Sequence, residues 1–305
     1  MDVEPESLSL PHPHTPTLPN SQTPILPHSH TPIFCGVAGW SYPDWEGYVY
    51  TPEIKDRLRF LAGYLDMIEI NSTFYRPPDA RTVAAWVERT EDLPGFFFTA
   101  KLHQDVTHRG VIEPATVAAF HEGFKPMVQR DGLRHLLAQF RYDFADTPAT
   151  RGHLERIASS FGDITNLTLE LRHNSWQAPA ALEFLAGLGV SVAHLDYPTA
   201  RDSFNLRVCR VGEHAYFRLH GRNAKAWFSK DAGRDETYNY LYSDREVDDI
   251  VKRAAEIGRM SKTLTLVANN HYQGKEVVNI LQIKSRLTGR KAPVPPKLLE
   301  RYPSS

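Results

Sequence analysis

Leu264-Thr265-Leu266-Val267-Ala268-Asn269-Asn270-His271 is a short, largely apolar run that ends at once in three side chains able to hold or polarise a ligand. It is too short for a helix and is flanked by helical periodicity, so it reads as a buried parallel strand. Working outward from it, the same unit recurs at Phe34 to Ala38, Met67 to Ile70, Phe96 to Ala100, Leu136 to Ala138, Leu167 to Leu169, Val190 to Leu195 and Ala215 to Leu219. Each run gives way to residues with chemistry: Gly39-Trp40-Ser41, Asn71, Lys101, Gln139, Glu170 with Arg172-His173, Asp196, and His220-Gly221-Arg222. Eight such units predict an α/β fold, a single closed (β/α)8 TIM barrel. In that fold the site is built at the C-terminal ends of the strands, where these residues collect.

The chain has 305 residues, 41% hydrophobic and 23% charged, enough for one barrel domain and its core. A net charge of -1 offers no bulk attraction for nucleic acid, so any partner must be argued from the site. Two cysteines, Cys35 and Cys209, exclude a disulfide framework and suit a reducing cytoplasm. No apolar stretch reaches the roughly 20 residues a bilayer crossing needs, and no secretory signal pattern is present, so a soluble cytoplasmic protein without membrane contact is expected.

Residues 1–32 are rich in Pro, His, Thr and Ser and read as a disordered tail, with His12/His14 and His28/His30 too few as ligands for a metal site. Residues 33–288 form the barrel domain, and 289–305, with prolines from Ala292 to Pro296, read as a tail. Helical spacing appears at Ile54, Leu58, Leu61 and Leu65; at Val83, Trp86 and Val87 after the N-cap Asp79; and at Val117, Phe120, Phe124 and Met127. It continues at Leu154, Ile157 and Phe161, at Leu182 and Leu185 after Pro179, and at Val277, Leu281 and Leu287, while Ser243 with Glu246 forms a capping box. The segment from Tyr197 to Val208 shows no helix. The long connection from Gly221 to Tyr242, with Trp227, Phe228, Tyr238 and Tyr240, reads as a lid or substrate wall.

No Walker loop, GxGxxG, HExxH or CxxC occurs, which removes support for nucleotide-triphosphate and Rossmann mechanisms. Six segments together resemble the YecE-like family, known as domain of unknown function 72. They are Gly36 to Tyr42, Glu69 to Tyr75, Phe98 to Lys101 with Thr107-His108, Glu170 to Trp176, Tyr216 to Arg222 and Asn269 to Gly274. The resemblance covers about residues 34 to 288 and implies a TIM barrel but no reaction. The chain departs from the pattern after the fourth run, where Phe140-Arg141 stand in place of the family's prolines.

Glu69 and Glu170 are carboxylates in apolar strands, costly unless paired or functional, and are taken as proton carriers. Lys101 ends the third run, where a desolvated amine acts as electrophile, anion ligand or nucleophile, and His220 joins these three as catalytic. Substrate-binding candidates are Trp40, Asn71, Tyr75, Arg172, His173, Asp196, Arg222, Asn270 and His271. Arg222 has a planar fork suited to phosphate, beside glycine-bearing loops after the seventh and eighth runs. The expectation is an enzyme using general acid and base on a small phosphorylated or otherwise anionic substrate, with no metal or cofactor. One alternative is a metal-dependent phosphodiesterase cutting nucleic acid, with Glu69, Glu170, Asp196, His173, His220 and His271 holding divalent metal. Another is a non-catalytic small-ligand-binding protein.

Overall fold

The computed structural model describes residues 31–303. Its strands are β1 (Ile33–Ala38), β2 (Met67–Ile70), β3 (Phe97–Lys101), β4 (Leu133–Gln139), β5 (Asn166–Glu170), β6 (Ser191–Val192), β7 (His194–Asp196), β8 (His214–Leu219) and β9 (Thr263–Ala268). They form one parallel sheet in the order β6-β5-β4-β3-β2-β1-β9-β8-β7. The two ends of this sheet, β6 and β7, are separated in sequence only by Ala193, whose N–H donates to the Leu169 carbonyl at 2.9 Å. They are therefore halves of the sixth expected run, one pairing with β5 and the other with β8, and the barrel is nearly closed. The Val192 N–H meanwhile turns to the Val211 carbonyl at 3.2 Å, so the returning chain fills the break.

Side chains alternate along the strands, as the pleat requires. Ala38, Met67, Phe97, Leu137, Leu195, Tyr216 and Val267 pack together as a cluster separate from the main core. Neighbours such as Ile68, Phe98, Leu136, Phe217 and Leu266 pack in the main core with residues of the helical segments, including Leu58, Phe120, Ile157 and Ile250. The first set fills the barrel; the second joins barrel to helices. At Gly36 any side chain would collide with the Met67 carbonyl, which is why β1 carries a glycine there.

The helices form where the apolar spacing and caps place them. Asp79 accepts from the Thr82 N–H, Pro179 opens the helix Pro179–Gly187, and Ser243 with Glu246 makes a reciprocal capping box before Asp244–Gly258. No helix occurs between β7 and β8. The long connection after β8 carries two one-turn helices, Ala224–Trp227 and Arg234–Thr237.

The C-terminal segment packs on the domain. Residues 289–303 do not trail away: they form the helix Pro296–Arg301, whose Leu298 is fully buried, and Tyr302 packs on the core. The prolines between Ala292 and Pro296 do not keep this segment irregular, since Pro295 is the N-cap and Pro296 the first residue of the helix. At the other end, residues 1–30 and the histidine pairs lie outside the described residues. Thr31 is tied to the barrel, its hydroxyl donating to the Gly258 carbonyl at 2.8 Å, and the Pro32 carbonyl accepts from Leu264.

Candidate functional site

At the C-terminal end of the barrel the inward positions of three strands carry charge: Glu69 on β2, Glu170 on β5 and Arg218 on β8, all fully buried. Arg218 holds both carboxylates, with Nη2 donating to Glu69 Oε1 at 2.8 Å and Nη1 making a short bond to Glu170 Oε2. Tyr216, two residues earlier on the same face, donates to Glu69 Oε2 at 2.8 Å and lies 2.7 Å from the Thr99 hydroxyl. Burial works against the charge on Glu170, but Arg218 and Arg172 outweigh it and hold that carboxyl well below the usual range. Both Glu170 oxygens are thus taken up by arginine, Oε1 by Arg172 and Oε2 by Arg218.

Above this floor stand two cations with a little exposure. Lys101 Nζ lies 3.7 Å from Glu69 Oε1, and burial together with Arg218 pushes its pKa down to about 8. Arg172 grips Glu170 Oε1 through Nε at 2.9 Å and Nη2 at 2.6 Å. Its third nitrogen, Nη1, is not engaged by any described residue. His220 is fully buried, with Nε2 3.4 Å from Glu170 Oε1. The Asn269 side-chain amide donates to His220 Nδ1 at 3.1 Å, which puts the ring proton on Nε2. Burial holds the His220 pKa to about 4, so the ring is neutral near pH 7.

A cavity of about 900 Å³ opens beside Arg172. Trp227, Phe228 and Tyr238 from the connection after β8 line it together with Tyr197 and His173, so the aromatic segment is a wall of the mouth. The Arg172 guanidinium lies over the Trp227 ring at 5.4 Å, and Trp227 meets both Tyr197 and Tyr238 edge-on.

Several expected binding residues have other duties. Arg222 is not free for phosphate: it grips Asp196 with Nε at 2.9 Å and Nη2 at 2.7 Å and reaches Glu246 at 3.3 Å. Asp196 accepts from Tyr242 as well, and its carboxylate meets no histidine among the described residues. The glycines serve packing there. Gly221, at φ +84, lies against Tyr240, and Gly274, at φ +76, lies against Val49 and Leu298. Asn270 ties the wall down, donating to the Tyr240 carbonyl at 2.8 Å and to Asn279 at 2.9 Å. Trp40 packs edge-on against Trp86 at 5.4 Å, Tyr75 is 62% exposed on the rim, and His173 caps the turn at Ser175. Asn71 donates to the Ala38 carbonyl at 2.9 Å and to the Tyr42 hydroxyl at 3.2 Å. His271 stacks on Tyr42 at 4.5 Å.

The metal-holding set is not assembled. Among the described residues no three His, Cys, Asp or Glu side chains converge as such a site requires. Glu69 and Glu170 are already neutralised by Arg218, Lys101 and Arg172, and Asp196 by Arg222.

Arg218 and Tyr216 were missed. Both sit inside a run read as uniformly apolar, yet their period-two spacing with His220 is the signal that puts all three on the inner face.

A sequence profile of the family described as "Protein of unknown function DUF72" matches residues 34–301. The UPF0759 protein YunF of Bacillus subtilis is 26% identical over 275 residues, covering 83% of this chain and 95% of that protein. A crystal structure of a DUF72 family protein from Thermotoga maritima superposes with a TM-score of 0.75 at 28% identity, over 84% of this chain and 99% of that one. A DUF72 family protein from Enterococcus faecalis gives 0.74 at 25% identity, over 84% and 95%.

Proposed function

Since the chain belongs to the DUF72 family, whose description carries no reaction, we propose from the site itself that this is an enzyme moving protons on a small anionic substrate. The observation that carries this reading is the uneven charge of the barrel floor. Three cations, Arg218, Lys101 and Arg172, face two carboxylates, Glu69 and Glu170, leaving one positive charge, and the exposed part of the floor is Lys101 and Arg172. An anion entering the cavity meets Arg172 first. Its free nitrogen and the aromatic wall suit a substrate with an acidic head and a flat or apolar body.

Lys101 is the proton acceptor in this reading. With a pKa of about 8, roughly one amine in ten is neutral at pH 7, against a few in ten thousand for an ordinary lysine. Glu69 beside it steadies the ammonium once formed. Abstraction of a proton next to a carboxylate or carbonyl, leading to isomerisation or elimination, fits these parts. The buried free thiols Cys35 and Cys209 support a reducing compartment such as the cytoplasm. Among the described residues no helix is long and apolar enough to cross a membrane.

The test is a panel of small carboxylates and phosphate esters with and without aromatic bodies, read by thermal melts and then by deuterium uptake into the bound compound from heavy water. A ligand at ten times its Kd adds about 1.4 kcal/mol to the folded state. We expect stabilisation that Arg172→Ala loses, and deuterium uptake that Lys101→Met loses while still binding. Binding without uptake in the parent protein makes the barrel a binding protein; no stabilisation by any anion sinks the substrate class.

A further inference from the structure

The cavity beside Arg172 is larger than a single acidic group needs. A volume of about 900 Å³ equals a sphere about 12 Å across, which leaves room for two linked rings behind an acid held on Arg172. Two further cations line it, Arg201 and Lys230, and neither side chain has a hydrogen bond or ion pair with any described residue. Both are exposed, whereas the Arg172 side chain is only 15% exposed. Positive charge therefore stands at the inner and at the outer end of one cavity.

The backbone fixes one outer charge relative to the inner one. Ala200 to Ser203 is a tight turn: the Ser203 N–H donates to the Ala200 carbonyl at 3.2 Å, and the Ser203 hydroxyl accepts from the Ala200 N–H at 2.8 Å, which leaves Arg201 and Asp202 at the tip. The turn is pinned on both sides of His173. The Phe204 N–H donates to the Arg172 carbonyl at 2.7 Å, and the Asn174 N–H donates to the Asp202 carbonyl at 2.9 Å. Lys230 comes from a second segment, the aromatic connection after β8, just beyond Phe228. The carboxylates of the cavity do not cancel these charges. Asp143 is held by Nε and Nη2 of Arg141 at 3.1 and 3.2 Å, and Asp202 sets one negative charge against two positive ones. Tyr142 and Phe228, 72% and 53% exposed, add to the ring surface of Tyr197, Trp227 and Tyr238, apolar area that a ligand would cover.

We propose that the cavity takes a flat dianion: a molecule with one acidic group on Arg172, an aromatic body along the Trp227 wall, and a second acidic group on Arg201 and Lys230. This rests on the reading of Arg172 as the anion contact and narrows the substrate class. Arg201 and Lys230 choose the far end of the molecule and take no part in proton transfer. Exposed cations hold an acid weakly, so they discriminate among acids that Arg172 already accepts.

Calorimetric titration of the full chain with three rod-shaped probes tests this. The probes are biphenyl with a carboxylate at one end, with carboxylates at both ends, and with a carboxylate at one end and an aminomethyl group at the other. We expect the diacid to bind about tenfold tighter than the mono-acid, of which a factor of about two is statistical because either end can reach Arg172. Added sodium chloride should shrink this preference. In the double variant Arg201→Gln with Lys230→Gln, whose side chains are exposed and unpaired and so leave folding intact, the preference falls to the statistical factor. In Arg172→Ala both acids lose their binding. A diacid that gains only the statistical factor in the parent, or keeps its full preference in the double variant, overturns the dianion while the Arg172 contact stands. An ammonium probe that binds better than the diacid shows Asp202 setting the outer end and overturns it likewise. If none of the three binds, the anion site itself falls and the dianion with it.

Discussion

Arg218 is the residue on which the barrel floor depends, because among the described residues it alone bonds both Glu69 and Glu170. Arg218→Met leaves two buried carboxylates short of a partner, and we expect chemical denaturation to show a loss of about 3–5 kcal/mol. Arg222 makes a weaker case of the same kind. Arg222→Ala should cost about 1–3 kcal/mol by stranding Asp196, and sodium phosphate should shift its melting temperature no more than it shifts the parent's. Such a result would separate the Arg222 pair from the anion site; a phosphate effect lost in Arg222→Ala would restore the role first expected of it. The pH dependence of Glu276 has a definite sign. Its folded pKa is raised, so above the ordinary carboxylate pKa the unfolded chain binds fewer protons than the folded one, and stability falls as pH rises. Glu276→Gln removes that loss. Its melting temperature should exceed the parent's at pH 8 and match it near pH 4, and equal profiles would contradict a retained proton.

At the scale of elements, the aromatic connection after β8 and the final helix have opposite duties. The connection walls the cavity with Trp227 and Tyr238 but leaves Phe228 53% exposed. Trp227→Ala should weaken binding of aromatic anions relative to aliphatic ones while changing stability little, as competition melts with matched pairs would show. The helix Pro296–Arg301 is structural. Leu298 is fully buried against Gly274, so Leu298→Ala should cost about 2–5 kcal/mol by denaturant titration. A change below half a kcal/mol would return residues 289–303 to the status of a tail.

For the whole molecule, the place where the domain begins can be measured. Residues 1–30 lack the apolar content to contribute a core, so their removal should leave the melting temperature unchanged. Removal through Pro32 should lower it, because Thr31 bonds Gly258 and the Pro32 carbonyl starts the ladder between β1 and β9. Equal melts for the two truncations would show that these bonds add nothing.

Much of the barrel was legible in the chain, because a strand buried on both faces must be short and apolar and its helices must show an apolar stripe. The runs, the caps at Asp79 and Ser243, and the helix-free stretch after Asp196 all follow from such local rules. So did the gathering of Glu69, Lys101, Glu170, Arg172 and His220, since residues at like ends of parallel strands are brought to one rim. What each residue does there was decided elsewhere. Arg222 could face a ligand or Asp196, and only the approach of β7 to β8 selects the second. Glu276 reads in sequence as an ordinary acidic residue near a helix start, and only the packing of that helix against β1 seals it from water. Local preferences depend on neighbours along the chain and can be read from it. Charge states and ion pairs depend on which distant groups share a dry space, which the folded barrel alone sets.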